Sequence, residues 1–182
     1  DAVAFAHHHG VIHQDLKPDN IMVGEFGEVY LMDWGFALPK NREEAKGGGK
    51  RRKLDVQRGD GFVTTTLYYM APEQTKAEIA LIDERTDIYC LGGILYKILT
   101  LRPPHFGDDI RAVAKSALSG IVVPPSEIVD IDLPARLSRI CMKALSCDPA
   151  QRYESALAIK KDVESFLQCG WQFEREHFSA GA

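Results

Sequence analysis

Ile88, Leu91, Ile94, Leu95, Ile98 and Leu99 recur at spacings of three and four residues, the period of an α-helix. Cys90 and Gly92-Gly93 fill other faces of the same stretch. A helix apolar nearly all round belongs in the middle of a core. Residues 109–118 and 135–145 read as two amphipathic helices, punctuated by Pro103-Pro104, Pro124-Pro125 and Pro134. Ser155 is placed as the N-cap of a last helix running to about Gln168, with Gly170 closing it. Near the start, Val3, Phe5 and Ala6 read as the tail of a helix stopped by Gly10.

The polar stretch 13–20 is flanked by Val11-Ile12 and by Ile21-Met22-Val23. Gly24-Glu25-Phe26-Gly27 reads as a turn and residues 29–32 as a short strand. Together they predict a hairpin that brings Asn20 close to Asp33. Residues 39–61 hold Gly47-Gly48-Gly49 and Lys50-Arg51-Arg52-Lys53 without a periodic apolar pattern, which reads as a mobile loop. No internal repeat is present. The predicted class is mainly α (α+β), a helical bundle around one buried helix with a small β-hairpin near its start.

Composition adds limits. With 182 residues, 45% hydrophobic and 26% charged, the chain suits one soluble globular domain with a sizeable core. That excludes a disordered tail, a collagen-like fibre and a small disulfide-stapled scaffold. A formal charge of −4 argues against a protein built to grip nucleic acid, and no specific nucleic acid is expected. The longest nearly apolar run, residues 88–101, contains Lys97 and is too short to span a bilayer. No basic region followed by an apolar segment opens the chain, and the first residue is Asp1, so a trimmed chain or a fragment is expected. Cys90, Cys141, Cys147 and Cys169 form no C-x-x-C pair. They read as buried small apolar side chains in a reducing, cytoplasmic setting. His7, His8 and His9 point in different directions on a helix and do not make a metal tract.

Chemistry concentrates in His13-Gln14-Asp15-Leu16-Lys17-Pro18-Asp19-Asn20, followed thirteen residues later by Asp33-Trp34-Gly35. A carboxylate, an ammonium and an amide together on a loop can serve a phosphate and a metal. Asp15 could take a proton from a hydroxyl nucleophile, and Lys17 could neutralise charge on a transferring phosphoryl group. Asn20 and Asp33 offer hard oxygens, which suit Mg²⁺. In sequence order, His13-Gln14-Asp15 matches H-R-D, Asp33-Trp34-Gly35 matches D-F-G, and Ala71-Pro72-Glu73 matches A-P-E. The chain therefore resembles the large C-terminal lobe of a protein kinase, of the eukaryotic-like Ser/Thr kind found in bacteria. The resemblance covers residues 1–169. Residues 33–73 would be the activation segment with a basic insertion at 40–61, and 170–182 a linker or the start of a further domain.

The resemblance implies transfer of the γ-phosphoryl of Mg·ATP to Ser or Thr hydroxyls of a protein substrate. Asp15 would be the catalytic base and Lys17 the γ-phosphate contact that marks Ser/Thr specificity. Asn20 and Asp33 would hold Mg²⁺, and Met22 would lie under the adenine. Thr66 would bond Asp15 and Lys17 while seating the acceptor. Asp87 would accept hydrogen bonds from the catalytic-loop backbone, and Glu73 would pair with Arg152. His13 and Trp34, with Gly35 following, would stack in an internal hydrophobic column. The rivals are a non-catalytic kinase-like scaffold and a small-molecule phosphotransferase. Four chemical groups kept in register oppose the first; the A-P-E segment and Thr66 oppose the second.

The sequence departs from the family at named positions. Gln14 stands where regulated kinases carry an Arg that pairs with a phosphate on the activation segment, so phosphorylation of Thr64 or Thr65 is not expected to be an obligatory switch. Trp34 replaces the usual Phe. Thr65 and Tyr68 make the acceptor-binding loop bulkier, and Asp19 hints at a preference for basic residues near the acceptor. Residues 40–58 carry eight basic against three acidic side chains, a solvated insertion or a docking patch for an acidic partner. No Gly-rich loop and no strand Lys with a partner Glu occurs in residues 1–182. In the family these belong to the small N-terminal lobe, expected upstream of Asp1. Without that lobe this piece is expected to transfer phosphate at negligible rates and to expose an apolar surface meant for it.

Overall fold

Backbone placement in the computed structural model is described for residues 1–40, 65–130 and 133–178, with side chains as far as residue 169. The longer elements follow the order α1 (Ala2–His8), β1 (Val11–Ile12), β2 (Ile21–Val23), β3 (Val29–Leu31), β4 (Leu38–Pro39), α2 (Glu84–Thr100), α3 (Ile110–Ser119), α4 (Ala135–Ala144) and α5 (Ala156–Phe178). The starts of α2, α3 and α5 are fixed by polar side chains that take up otherwise unpaired N–H groups. Asp83 accepts from the Arg85 N–H before α2, Asp109 from the Ala112 N–H before α3, and Ser155 Oγ from the Ala158 N–H before α5. Left-handed glycines close α1 and α3, Gly10 at φ 71° and Gly120 at φ 64°.

Helix α2 is the centre, as its periodicity predicts. Ile88 and Cys90 pack with Val3, Leu16, Ile140, Ala144 and Tyr153. Tyr89 and Tyr96 pack with Ala71, Val122, Cys141 and Leu145. Helices α2 and α4 lie so close that a Cβ on Gly92 would stand 2.8 Å from the Ala144 Cβ, so only glycine fits there without a shift. The apolar stripe outruns the core at one place: Ile98, near the end of α2, is 67% exposed.

The chain from 21 to 31 forms the predicted hairpin, with Ile21 opposite Leu31, Met22 opposite Tyr30 and Val23 opposite Val29. Gly27 turns it at φ 88°. A second antiparallel ribbon, not foreseen, pairs Val11 with Pro39 and Ile12 with Leu38. Two-residue strands carry too little alternation to be read from sequence.

Two expectations need correction. Helix α5 passes through Gly170 and continues to Phe178, into the stretch read as a linker or a further domain. A glycine inside a helix costs only about 1 kcal/mol, and the Gln, Glu and Arg residues beyond it favour helix. Of the cysteines, Cys90 and Cys141 are buried, but Cys147 and Cys169 are exposed; all four are free thiols. A thiol is small enough to sit on either side of a surface, so its identity alone locates it poorly. The insertion at 40–61 lies outside the described residues apart from Lys40, as does Thr64. Among the described residues no helix is long and apolar enough to cross a membrane.

Candidate active site

The loop after α1 is organised by Asp87, in the first turn of α2 and fully buried. Its carboxylate accepts the His13 and Gln14 backbone N–H groups at 2.8 Å each, and the His7 ring reaches the same oxygen as His13 at 2.8 Å. Gln74 donates from its side-chain amide to the Gln14 carbonyl at 2.8 Å. These bonds hold Gln14 in a left-handed conformation, φ 65°, which a non-glycine residue adopts only when its surroundings impose it. The bent backbone then delivers Asp15 and Lys17.

Asp15, Lys17, Asn20 and Thr66 are all buried and all meet. The Lys17 ammonium lies 3.5 Å from Asp15 Oδ2 and donates to Thr66 Oγ1 at 2.9 Å. The Asn20 amide nitrogen donates to the Asp15 carbonyl at 2.7 Å and to Asp15 Oδ2 at 3.2 Å. Burying a carboxylate and an ammonium is tolerable because each faces the other and both are hydrogen-bonded. Thr66 is thus linked to Asp15 through Lys17.

The hairpin supplies the other side. The Met32 N–H donates to the Asn20 carbonyl at 2.9 Å, which sets Asp33 beside Asn20 at the hairpin's base. Asp33 is left-handed, φ 56°, with its carboxylate accepting from the Gly35 N–H at 3.3 Å. The Asp15 N–H donates to His13 Nδ1 at 3.3 Å, so the ring carries its proton on Nε2 and donates it to the Met32 carbonyl at 3.0 Å. The His13 and Trp34 rings lie 4.5 Å apart at 53°. Trp34 is 43% exposed, so the contact is made while one side of the stack stays open. Met22 is half exposed on β2.

The A-P-E segment is fastened from below. Arg152 grips Glu73 with two nitrogens, at 2.7 and 2.8 Å. Its remaining donors go to the carbonyls of Ser146, Arg85 and Cys147, and Thr86 Oγ1 donates to Glu73 at 2.8 Å. The front of the activation segment is anchored too. Gln14 donates from its side chain to the Phe36 carbonyl at 3.1 Å, and Lys40 pairs with Glu84 at 2.5 Å. The Glu84 hydrogen bond raises the Lys40 pKa. Partial burial alone would raise Glu84, but its bond to Lys40, a backbone hydrogen bond and the charges of Lys40 and His7 together hold it below the usual carboxylate value. In the stretch before Ala71, burial and the nearby Asp19 carboxylate push the Tyr69 phenol up to about 12.

Every residue picked from the sequence as catalytic, metal-holding or structural therefore lies in this region or on its supports. Sequence reasoning missed His7 and Gln74, whose partners stand 80 and 60 residues away and leave no local spacing signal. The donor set suits Mg²⁺. The amide nitrogen of Asn20 is turned to Asp15, which leaves its oxygen for a cation, and Asp33 adds a carboxylate. Among the described residues no three His, Cys, Asp or Glu side chains gather into a cage, so an ion here would take further ligands from phosphate and water.

The family model of the protein kinase domain matches residues 1–164. The chain belongs to the protein kinase family. It is 37% identical over 175 residues to the serine/threonine-protein kinase PknD of Chlamydia abortus and 39% identical over 175 residues to that of Chlamydia caviae, covering 91% of this chain in each case. It is 36% identical over 170 residues to the probable serine/threonine-protein kinase PknB of Bifidobacterium longum, covering 93% of this chain. The aligned part amounts to 18% of either PknD and 23% of the PknB, about a fifth of these relatives' length.

Proposed function

We propose that this chain is the catalytic lobe of a Ser/Thr protein kinase that moves the γ-phosphoryl group of Mg·ATP to a Ser or Thr hydroxyl. The reading rests on Lys17, whose ammonium touches both Asp15 and Thr66. One cation thereby ties the group that would receive a proton to the loop that would seat a polypeptide. Asp15 would accept the hydroxyl proton as the nucleophile attacks, and Lys17 would face the negative charge of the transferring group. Asn20 and Asp33 would hold Mg²⁺, which when bound draws charge from the phosphate oxygens. Positioning supplies much of the acceleration, because buried, hydrogen-bonded side chains need no rearrangement at the moment of transfer.

The exposed apolar side chains of Met22, Val23, Phe26, Val29 and Tyr30 on the hairpin favour a second lobe closing over it, with Met22 as the floor of the adenine site. The Gly-rich loop and phosphate-binding Lys of the family would come from that lobe, and a protein substrate would enter on the Thr66 side. A reaction fed by ATP favours a cytoplasmic setting for the lobe. Calorimetric titration of the full-length protein should show tighter binding of ATP with Mg²⁺ than with chelator. Asp33→Asn should weaken the Mg²⁺-dependent binding about tenfold, since a carboxylate ligand is lost. Equal affinity with and without Mg²⁺ would contradict the metal assignment.

Gln14 gives the activation segment a neutral anchor at Phe36, and Lys40 gives it a charged one at Glu84. Neither needs a phosphate. Phosphatase-treated full-length protein is therefore expected to keep its transfer rate within about threefold of the phosphorylated form. A rise of more than about tenfold on phosphorylation of Thr64 or Thr65 would overturn this.

A further inference from the structure

His105 is completely buried, lies far from the catalytic loop in sequence and has no part in the chemistry above. It sits between α2 and α3, behind the loop 66–70 that begins with Thr66. Its backbone N–H donates to the Tyr68 carbonyl at 3.3 Å. Its ring Nε2 lies 2.9 Å from the Tyr89 hydroxyl, and Nδ1 lies 3.3 Å from Ser116 Oγ on α3. The two rings stack, 6.0 Å apart and 13° from parallel. Burial holds His105 at a pKa of about 4, against the opposing pull of the Met70 backbone, so the ring is neutral near pH 7. A neutral imidazole has one donor and one acceptor. The Tyr89 phenol, kept protonated by its burial, donates to Nε2. Nδ1 then carries the proton and faces Ser116.

The neighbours show what this arrangement carries. Leu67 and Met70 of the loop pack on Val113 and Ala114 of α3. The Tyr69 ring lies against Gly93, as does Pro104, the residue before His105: an added Cβ there would meet each at 3.2 Å. The Tyr69 carbonyl accepts from the Cys90 thiol at 3.5 Å. Loop 66–70 is therefore held on its buried side by the His105 backbone N–H, while the His105 ring ties that residue to α2 and α3. Its other end is Thr66, bonded to Lys17.

We propose that His105 is a positioning residue for the polypeptide acceptor, acting through loop 66–70 and not on the phosphate or the metal. The proposal rests on the kinase reading. Its loss should loosen the surface that seats the acceptor while Asp15, Lys17, Asn20 and Asp33 stay in place. The effect belongs to the acceptor's KM and not to ATP turnover in water.

The test is made on the full-length protein with a generic protein substrate and, separately, with water as acceptor. His105→Leu removes both ring bonds at similar bulk and is expected to raise the acceptor KM on the order of tenfold, the scale of one buried hydrogen bond left unmade. ATP hydrolysis without acceptor should stay within about twofold, as should the ATP KM. His105→Gln, which can still accept from Tyr89, should recover part of the acceptor KM. Ser116→Ala, at a half-buried site that tolerates the change, should shift it in the same direction by about threefold. Pairing His105→Leu with Tyr89→Phe removes the stranded hydroxyl and should restore melting temperature while the acceptor KM stays raised. An acceptor KM that returns with stability in that pair, or that never moves in any variant, would overturn the proposal. So would a parallel fall in acceptor-free hydrolysis. If the unaltered protein transfers no phosphate to protein, the kinase reading itself fails, a result distinct from an unmoved KM in an active enzyme.

Discussion

Asp15→Asn in the full-length protein should lower the rate of phosphoryl transfer by roughly 10²–10⁴-fold, the range a positioned general base contributes, while Mg·ATP affinity changes by less than about threefold. The Asn20 amide and the Lys17 ammonium both approach Asp15 Oδ2, and each is a donor. An amide placed at residue 15 must turn its oxygen toward them. Its NH₂ is then left on the side where the hydroxyl proton should be received. The replacement keeps the shape and the buried contacts but presents a donor in place of a base. Lys17, Asn20 and Asp33, which would hold the phosphates and metal, keep their places. Single-turnover kinetics beside nucleotide titration separates the two quantities. A transfer rate reduced less than about tenfold would mean that another group takes the proton.

The second large effect concerns stability. Glu73→Ala should lower the melting temperature of this lobe by roughly 10 °C, corresponding to about 3–5 kcal/mol. The Arg152 guanidinium is buried, and Glu73 is its only carboxylate partner among the ion pairs of the described residues. Removing Glu73 also leaves the Thr86 hydroxyl without its acceptor. Arg152 would keep its three carbonyl partners, which satisfy donors but do not cancel the charge. Replacing both residues by methionine removes the stranded charge and should recover part of the loss. Differential scanning fluorimetry of the full-length variants reads the difference. A shift of less than about 2 °C for Glu73→Ala would show that the pair contributes little.

Much of this was legible because it is local or carried by ordered motifs. Helix α2 has an unbroken period, its neighbours have proline and aspartate boundaries, and the hairpin has a glycine turn between two short apolar runs. The roles proposed for Asp15, Lys17, Asn20 and Asp33 rest on their chemistry and on resemblance, and the contacts of Asp87 and of Glu73 with Arg152 were expected through resemblance alone, since nothing in the spacing of residues 73 and 152 shows that they meet. What stayed hidden is long-range and polar. His7 reaches Asp87 across 80 residues, Gln74 reaches Gln14 across 60, and His105 bonds Tyr89 and Ser116 from an irregular loop. A buried histidine in a proline-rich stretch has no periodic signature, and its partners appear only once the helices pack. Gly170 erred in the other direction. A helix stop signal is a preference of about 1 kcal/mol, and the continuing helix outweighs it.

The catalytic arrangement is tested most directly by following label from γ-labelled ATP into protein acceptors with the full-length protein and Mg²⁺, then separating the phosphorylated amino acids. The expected result is label on serine and threonine, dependent on Mg²⁺ and lost in Asp15→Asn. Label confined to tyrosine would contradict the role given to Lys17 and Thr66. Full-length protein that binds Mg·ATP yet labels no polypeptide would contradict the kinase reading and leave a scaffold that kept the lobe without its chemistry.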